Sequence, residues 1–385
     1  MGRPTAAGVL LIAPAVGLAA LGFAIVLTAG GRPGAPGFGA PTHFAVRQVV
    51  CTALGAALGA VAARAGVDRV LRLAPALFVA ALIATAAVFL PGIGVRAAGA
   101  SRWLRLGPLS GSPAPFLIGA TGLLVAAWGD GGTAPRDAGA SRLASRPLAL
   151  ALALVATLVL VAEPYFSAAA VALAVTFAAL AGNGVTGRRL IPAAVVVVLA
   201  LALAASRFGY VGGRIHGFLS PQSDRRGHGF EPLALARAKA SAAAGAAGLG
   251  HGTARRHLSS PASDYVFAVV GEELGRPGTW AVVIAWVAIA AGAVLAARTA
   301  TGDPRRRGVA AACTAALVTP AALHIAVCRG WMPITGVTMP LLSYDPTLTV
   351  ASGAQIGLLV ALAFGAPALR PASAPPLPPA DGQAV

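Results

Sequence analysis

The stretch SPASDYVFAVVGEELG, residues 260–275, sets three acids, Asp264, Glu272 and Glu273, beside an apolar run. Acids are scarce here, since only 12 of the 385 residues are Asp or Glu. Hydrophobic residues make up 57% of the chain and charged residues 11%, where a soluble domain carries about a quarter charged residues. The apolar residues arrive in blocks close to the ~20 residues that a helix needs to cross a bilayer core. The sequence therefore reads as all-α, a polytopic membrane protein of about ten transmembrane helices. An acid kept in such a setting is a candidate functional group. For Asp264 alone, a loop acid at a helix mouth, favoured by exposed N–H groups, is an equally simple reading.

Working outward, the expected spans are 8–29, 48–63, 73–90, 114–128, 148–162, 166–180, 190–205, 278–297, 309–327 and 348–366. The second is expected to begin before Val46, with Arg47 snorkelling to the interface. Glu163-Pro164 breaks a continuous apolar run into a hairpin or a kink. Residues 1–366 read as one transmembrane domain, with 206–263 as a large extracytoplasmic loop between spans seven and eight. The Pro-rich tail 367–385 reads as disordered. The first block shows no clear cleavage site and is taken as the first span.

Ten spans place both termini on one side. The joints 64–72, 129–147, 184–189 and 298–307 then share that side and hold twelve arginines, among them Arg64, Arg136, Arg142, Arg146, Arg188 and Arg306. The positive-inside rule assigns that side to the cytoplasm. The net charge of +17 lies in such joints, which favours anionic lipid and topology over nucleic acid as its reason. The three cysteines are scattered and form no ligand-like pair.

The long loop carries Arg207, Arg214, Arg225, Arg226, Arg237, Lys239, Arg255 and Arg256. Its stretch SAAAGAAGLGHG, residues 241–252, is small enough for backbone N–H groups to approach an anion. Arginine pairs bidentately with phosphate, so a phosphate-bearing substrate suits this loop. His216, His228, His251 and His257 are irregularly spaced, and no metal site is expected. Asp264 stands where the loop re-enters apolar sequence, placed to take a proton from a hydroxyl or to orient one. Burial would raise its pKa and neighbouring arginines would lower it. Glu272, two helical turns on, is too far to assist it and is expected to pair with an arginine, with Glu273 doing the same.

These residues resemble the SEDS family (FtsW, RodA, SpoVE), polytopic glycosyltransferases that polymerise peptidoglycan from lipid II. Five segments fall in the family's order. They are Arg47-Gln48, PGIGVRAAGASRWLRLGPLS (91–110), RIHGFLSP (214–221), SDYVFAVVGEELG (263–275) and MPITGVTMPLLSY (332–344). The resemblance implies a catalytic role for Asp264, activating an acceptor sugar hydroxyl against a polyprenyl-diphosphate-linked glycan with inversion. It implies substrate-binding roles for Arg102, Trp103 and Arg214, and Arg255 or Arg256 would stand in for a family lysine. Glu272, Glu273 and Arg47 would give structural support. No cofactor is implied, and divalent-cation dependence is left open. The implied partners are lipid II, a class B penicillin-binding protein (a single-span transpeptidase) and membrane proteins of the division or elongation machinery. The implied place is the bacterial inner membrane, with a role in cell shape or cell division.

The chain departs from the family at Gly111-Ser112-Pro113-Ala114, at Tyr165-Phe166-Ser167-Ala168, at His324 and at Asp345-Pro346-Thr347-Leu348. Two other functions therefore stand beside the enzyme. One is a catalytically weak membrane scaffold or regulator of a class B penicillin-binding protein. The other is a flippase for the lipid-linked precursor, which predicts inverted repeats and mid-membrane polar groups. No repeat is evident.

Overall fold

The computed structural model describes residues 5–29, 41–97, 100–106, 109–127, 146–300 and 302–365. Arg136, Arg142 and the tail 367–385 lie outside them. The helices are α1 (Ala6–Ala29), α2 (Pro41–Ala65), α3 (Val67–Ala86), α4 (Ala114–Ala127), α5 (Arg146–Ala162), α6 (Phe166–Gly182), α7 (Gly187–Ser206), α8 (Gly209–Leu219), α9 (Phe230–Ala244), α10 (Val266–Thr299), α11 (Pro304–Arg329) and α12 (Pro346–Ala363). Among the described residues seven of these are long and apolar enough to cross a membrane, and α4, α5 and α6 are shorter apolar helices. Each expected span is matched by a helix; α2, α3, α7, α10 and α11 begin three or more residues earlier because flanking small and polar residues continue the helix, while α3 and α12 end a turn sooner. α2, for example, starts at Pro41, so Arg47 lies inside it.

Two features were not legible beforehand. The joint 91–113 folds into a small antiparallel sheet, β1 (Gly94–Ala97), β2 (Ala100–Leu106) and β3 (Leu109–Gly111), in the order β1-β2-β3. The long loop holds two helices, α8 and α9.

Small residues let the bundle close tightly. Gly55 and Gly59 on α2 face Gly353 and Gly357 on α12, so close that a Cβ on Gly59 or Gly357 would fall on a facing backbone carbonyl. Both pairs have the G-x-x-x-G spacing that brings helices together in lipid. The stretch GAALGAVAA thus serves packing inside the bundle. One hydrophobic core gathers α1, α10, α11 and α12, and a second gathers α4, α5 and α6 against α11. α7 has no buried residue and presents Ile191, Val195, Val196 and Leu199 outward, as a lipid-facing helix does.

α10 decides the layout of the site. Its 34 residues would reach about 51 Å as one helix, well beyond a ~30 Å hydrocarbon core. Gly275, at φ 66° and ψ −158°, breaks it, a conformation glycine tolerates, and Pro277 follows it. Residues 276–299 form the crossing, at about 36 Å, and 266–274 form a separate short piece above it. At the opposite end of the bundle Arg306 bridges Asp68 through Nη2 at 2.6 Å and Nε at 3.2 Å, clasping the starts of α3 and α11. Asp303 caps α11 by accepting from the backbone N–H groups of Arg305 and Arg306.

Candidate functional site

Asp264 lies just before the first turn of α10, half-buried in a cavity of about 740 Å³. α2, β2, α8, α9 and the segment 334–346 meet around it. Arg47, Arg102, Trp103, Arg214, His228, Glu231 and Asp345 share the lining. Its backbone is fixed locally, with the Asp264 N–H donating to the Ser260 carbonyl at 3.0 Å. Burial raises the Asp264 carboxyl to about 6, with Asp345 and Glu231 adding to the rise, while a Ser263 hydrogen bond and Arg214 oppose it. A carboxylate tuned so is ionised at neutral pH and basic enough to take a proton from a hydroxyl.

The segment 334–345 faces Asp264 and is held by several polar contacts. The Ser343 hydroxyl donates to the Ser263 carbonyl at 2.7 Å, and the Tyr344 N–H donates to the Ala262 carbonyl at 2.8 Å. Gln48 on α2 donates to the Ser343 carbonyl at 3.3 Å. Gly336, at φ 68°, packs against the carboxylate, where an added Cβ would come within 3.7 Å of Asp264 Oδ2. Phe44 and Tyr344 stack edge to face at 5.1 Å on the α2 side.

The cations reach the cavity from three directions. Arg214 on α8 donates to the Ile334 carbonyl at 3.0 Å. Arg102 on β2 lies 4.7 Å over the Tyr165 ring and donates to the carbonyls of Glu163 and Pro164. Arg47 enters from α2. α2 does begin before Val46, as expected, but Arg47 takes a place in the cavity wall alongside Phe44 and Tyr344 instead of snorkelling to the interface.

Arg255 and Arg256 are not among the residues lining this cavity. Arg255 donates to the Thr28 carbonyl at the end of α1 at 2.7 Å, and Arg256 is exposed. Both stand on a short turn of helix at Ala254–Arg256.

Glu272 and Glu273 do support this region, chiefly through backbone N–H groups, with the charge of Arg255 also acting on Glu273. Glu272 accepts from Thr253 N at 3.0 Å, Thr253 Oγ1 at 2.9 Å and Ala254 N at 2.7 Å. Glu273 accepts from Gly250 N at 3.0 Å. Ala247 and Gly248 donate their N–H groups to the carbonyls of Glu272 and Glu273, each at 2.9 Å. The glycine-rich stretch therefore does cradle an anion, and the anion is the protein's own pair of carboxylates.

The departures from the family pattern find local reasons. Asp345 caps α12 by accepting from Leu348 N at 3.0 Å and also takes the Thr347 and Thr338 hydroxyls at 3.0 and 2.9 Å. Pro346 then stands at the first helical position, where no N–H is needed. Gly111 leaves room for the Thr347 side chain. The His324 ring accepts from Phe267 N at 3.4 Å through Nε2 and meets the Val337 carbonyl at 2.7 Å through Nδ1, an arrangement that requires the proton on Nδ1. His324 so ties α11 to the start of α10 and to the segment facing Asp264.

The sequence reading missed Asp345, Tyr165, His228 and Glu231 as lining residues. Only the acid-poor composition hinted at Asp345 and Glu231. No group of three or more His, Cys, Asp or Glu residues suited to a metal occurs among the described residues.

A family model described as a cell cycle protein, FTSW_RODA_SPOVE, matches residues 9–366. A probable peptidoglycan glycosyltransferase FtsW of Mycobacterium tuberculosis is 28% identical over 364 residues, which is 93% of this chain and 68% of that protein. A second, from Aromatoleum aromaticum, is 29% identical over 359 residues, 91% of this chain and 86% of that protein. Among solved structures, a chain from a peptidoglycan synthase complex that coordinates polymerisation and crosslinking superposes with a TM-score of 0.71 at 24% identity, covering 92% of this chain and 96% of that one. Thermus thermophilus rod shape determining protein RodA superposes at 0.64 and 24% identity, with the same coverage of 92% and 96%. These two likenesses are of fold.

Proposed function

The chain belongs to the FtsW, RodA and SpoVE family of cell cycle proteins, and from that premise we propose that it is a peptidoglycan glycosyltransferase whose base is Asp264. It is a multi-pass membrane protein that extends glycan strands from lipid II. In the proposed step Asp264 takes the proton of an acceptor sugar hydroxyl. The freed oxygen bonds to the anomeric carbon of the donor glycan, and the bond from that carbon to the polyprenyl diphosphate breaks with inversion. The diphosphate leaves with the electron pair. Arg47, Arg102 and Arg214 face the space where that charge develops, and preorganised cations there stabilise the transition state. The lipid-diphosphate bond supplies the driving force.

The observation that carries this reading is a half-buried, ionisable Asp264 in a 740 Å³ cavity shared with three arginines. The cavity opens on the face opposite the Arg306–Asp68 clasp. The proposed orientation sets that clasp and the arginine-rich joints in the cytoplasm with both termini, in the inner membrane, and the cavity outside. The proposed partner is a class B penicillin-binding protein, whose transpeptidase would crosslink the strands. The likeness in fold to a chain from a peptidoglycan synthase complex that coordinates polymerisation and crosslinking supports this choice.

The test is glycan polymerisation from labelled lipid II by the purified chain, alone and with its candidate transpeptidase, compared with Asp264→Ala and Asp264→Asn. Polymer made by the native protein and lost in both variants is expected. Polymer that persists in the variants would show that Asp264 is not the base. No polymer from a folded native pair that binds lipid II would replace the enzyme by a scaffold.

A further inference from the structure

On the far side of the 266–274 piece from the glutamate-held loop, α9, α10 and the end of α11 enclose a second, separate groove of about 370 Å³. Lys239, Arg276 and Arg329 line it with Phe267, Ala242 and Trp280, and no acid does. Its floor is low because Gly271 and Gly275 carry no side chain. The Lys239 ammonium donates to the Arg329 carbonyl at 2.7 Å, and the Arg329 guanidinium lies 5.8 Å from the Phe267 ring. The Arg276 guanidinium has no hydrogen-bond or ion-pair partner among the described residues.

The depth of this groove follows from α10. Arg276 opens the crossing piece, and Trp280, 60% exposed, is one turn further in. Trp331, 72% exposed, marks the matching level beyond the end of α11. Exposed tryptophans beside arginines are the signature of the head-group layer. The groove therefore sits where lipid phosphates lie, open to them and floored by apolar surface.

We propose that this groove is a binding site for the phosphoryl head group of an anionic glycerophospholipid, with an acyl chain running down past Trp280. Three cations without an acid complement one phosphodiester. Half the volume of the Asp264 cavity suits a glycerol phosphate head, whereas a disaccharide-peptide head needs the larger space. Only the 266–274 piece separates the two spaces. The Phe267 side chain forms one wall of the groove, and the Cys328 thiol on α11 is 4.0 Å from the Asp264 carbonyl. A bound lipid would brace from behind the segment that carries the base.

The test is lipid retention by the full chain in neutral detergent, read by native mass spectrometry with phosphatidylglycerol, phosphatidylcholine and a polyprenyl phosphate. One tightly held phosphatidylglycerol is expected, with phosphatidylcholine at least about tenfold weaker. Retention should fall about fivefold for each cation removed in Lys239→Gln, Arg276→Gln and Arg329→Gln, alone and combined. A control triple, Arg225→Gln, Arg226→Gln and Arg237→Gln, should leave it unchanged. Arg276→Gln alone breaks no contact, so a loss there reports binding and not misfolding. Equal retention of the two phospholipids, an unaffected triple, or equal loss in the control would overturn the site. Preference for the polyprenyl phosphate would overturn the choice of lipid. The same readings on Asp264→Asn separate this site from the catalytic proposal, since binding there is expected to persist when polymerisation does not.

Discussion

Glu272→Gln is the sharpest perturbation of the scaffold beneath Asp264. The carboxylate accepts three hydrogen bonds, two on Oε1 from Thr253 and one on Oε2 from Ala254 N. Glutamine has almost the same shape but only one acceptor oxygen. If that oxygen keeps the Thr253 pair, the buried Ala254 N–H faces an amide NH₂ and loses its partner. An unsatisfied buried donor costs about 1–3 kcal/mol, and the two retained bonds lose their charge assistance, together about 3 kcal/mol. For a chain of this size that corresponds to about 5 °C or somewhat more in thermal midpoint. The effect on catalysis is indirect. Residues 253–256 would loosen from the 266–274 piece, and polymerisation should fall less than in Asp264→Asn. The assay is paired, with a thermal melt of purified protein in detergent and initial polymerisation rate at a temperature well below both midpoints. Thr253→Ala, which removes one donor and leaves no carboxylate oxygen bare, should cost about 1 kcal/mol. A Glu272→Gln protein that melts within one degree of the native chain would refute the reasoning, because the three bonds would then contribute nothing net.

Other outcomes follow from the same geometry. With the Asp264 carboxyl at about 6, polymerisation should lose about tenfold per pH unit below that value as the base is protonated; a rate flat from pH 7 to pH 5 would contradict it. Glu163 is fully buried, its two carboxylate oxygens have no hydrogen-bond partner among the described residues, and burial pushes it up to about 8 against the opposing pull of Arg102. A raised acid favours the folded state below its ordinary pKa, and that advantage is lost as pH rises through 8. The native midpoint should therefore drop between pH 5 and pH 9, and Glu163→Gln should flatten that dependence while folding normally. Gly336→Ala places a side chain at φ 68° beside Asp264 Oδ2, so it should reduce the rate with little change in lipid II binding. Gly357→Leu should force α2 and α12 apart at their closest approach and prevent recovery of folded protein, whereas the same change at exposed Gly17, which has no neighbour to meet, should be tolerated.

The crossing helices were legible because lipid imposes a long one-dimensional signal: each crossing needs about 20 apolar residues, and charge is expelled to the joints. Asp264 stood out for the same reason, as an acid surviving at the edge of an apolar run. Proximity was not legible. Arg255 and Arg256 sit nearer Asp264 in sequence than Arg47 or Arg102, yet they do not line its cavity while the two distant arginines do. The crossing part of α10 was legible, since the expected span 278–297 matches residues 276–299, but the separate helical piece 266–274 before Gly275 was not drawn as an element. The backbone partners of Glu272 and Glu273 were not legible because opposite charge was the natural guess, and only Glu273 has an arginine, Arg255, acting on it. In the fold, a glycine-rich turn supplies backbone N–H groups that no composition records. Composition and periodicity alone determined the membrane helices and set Asp264 apart as a candidate acid, while its catalytic role came from the resemblance. The tertiary structure decided which cations surround that base, because helices far apart in the chain meet only when their small residues pack.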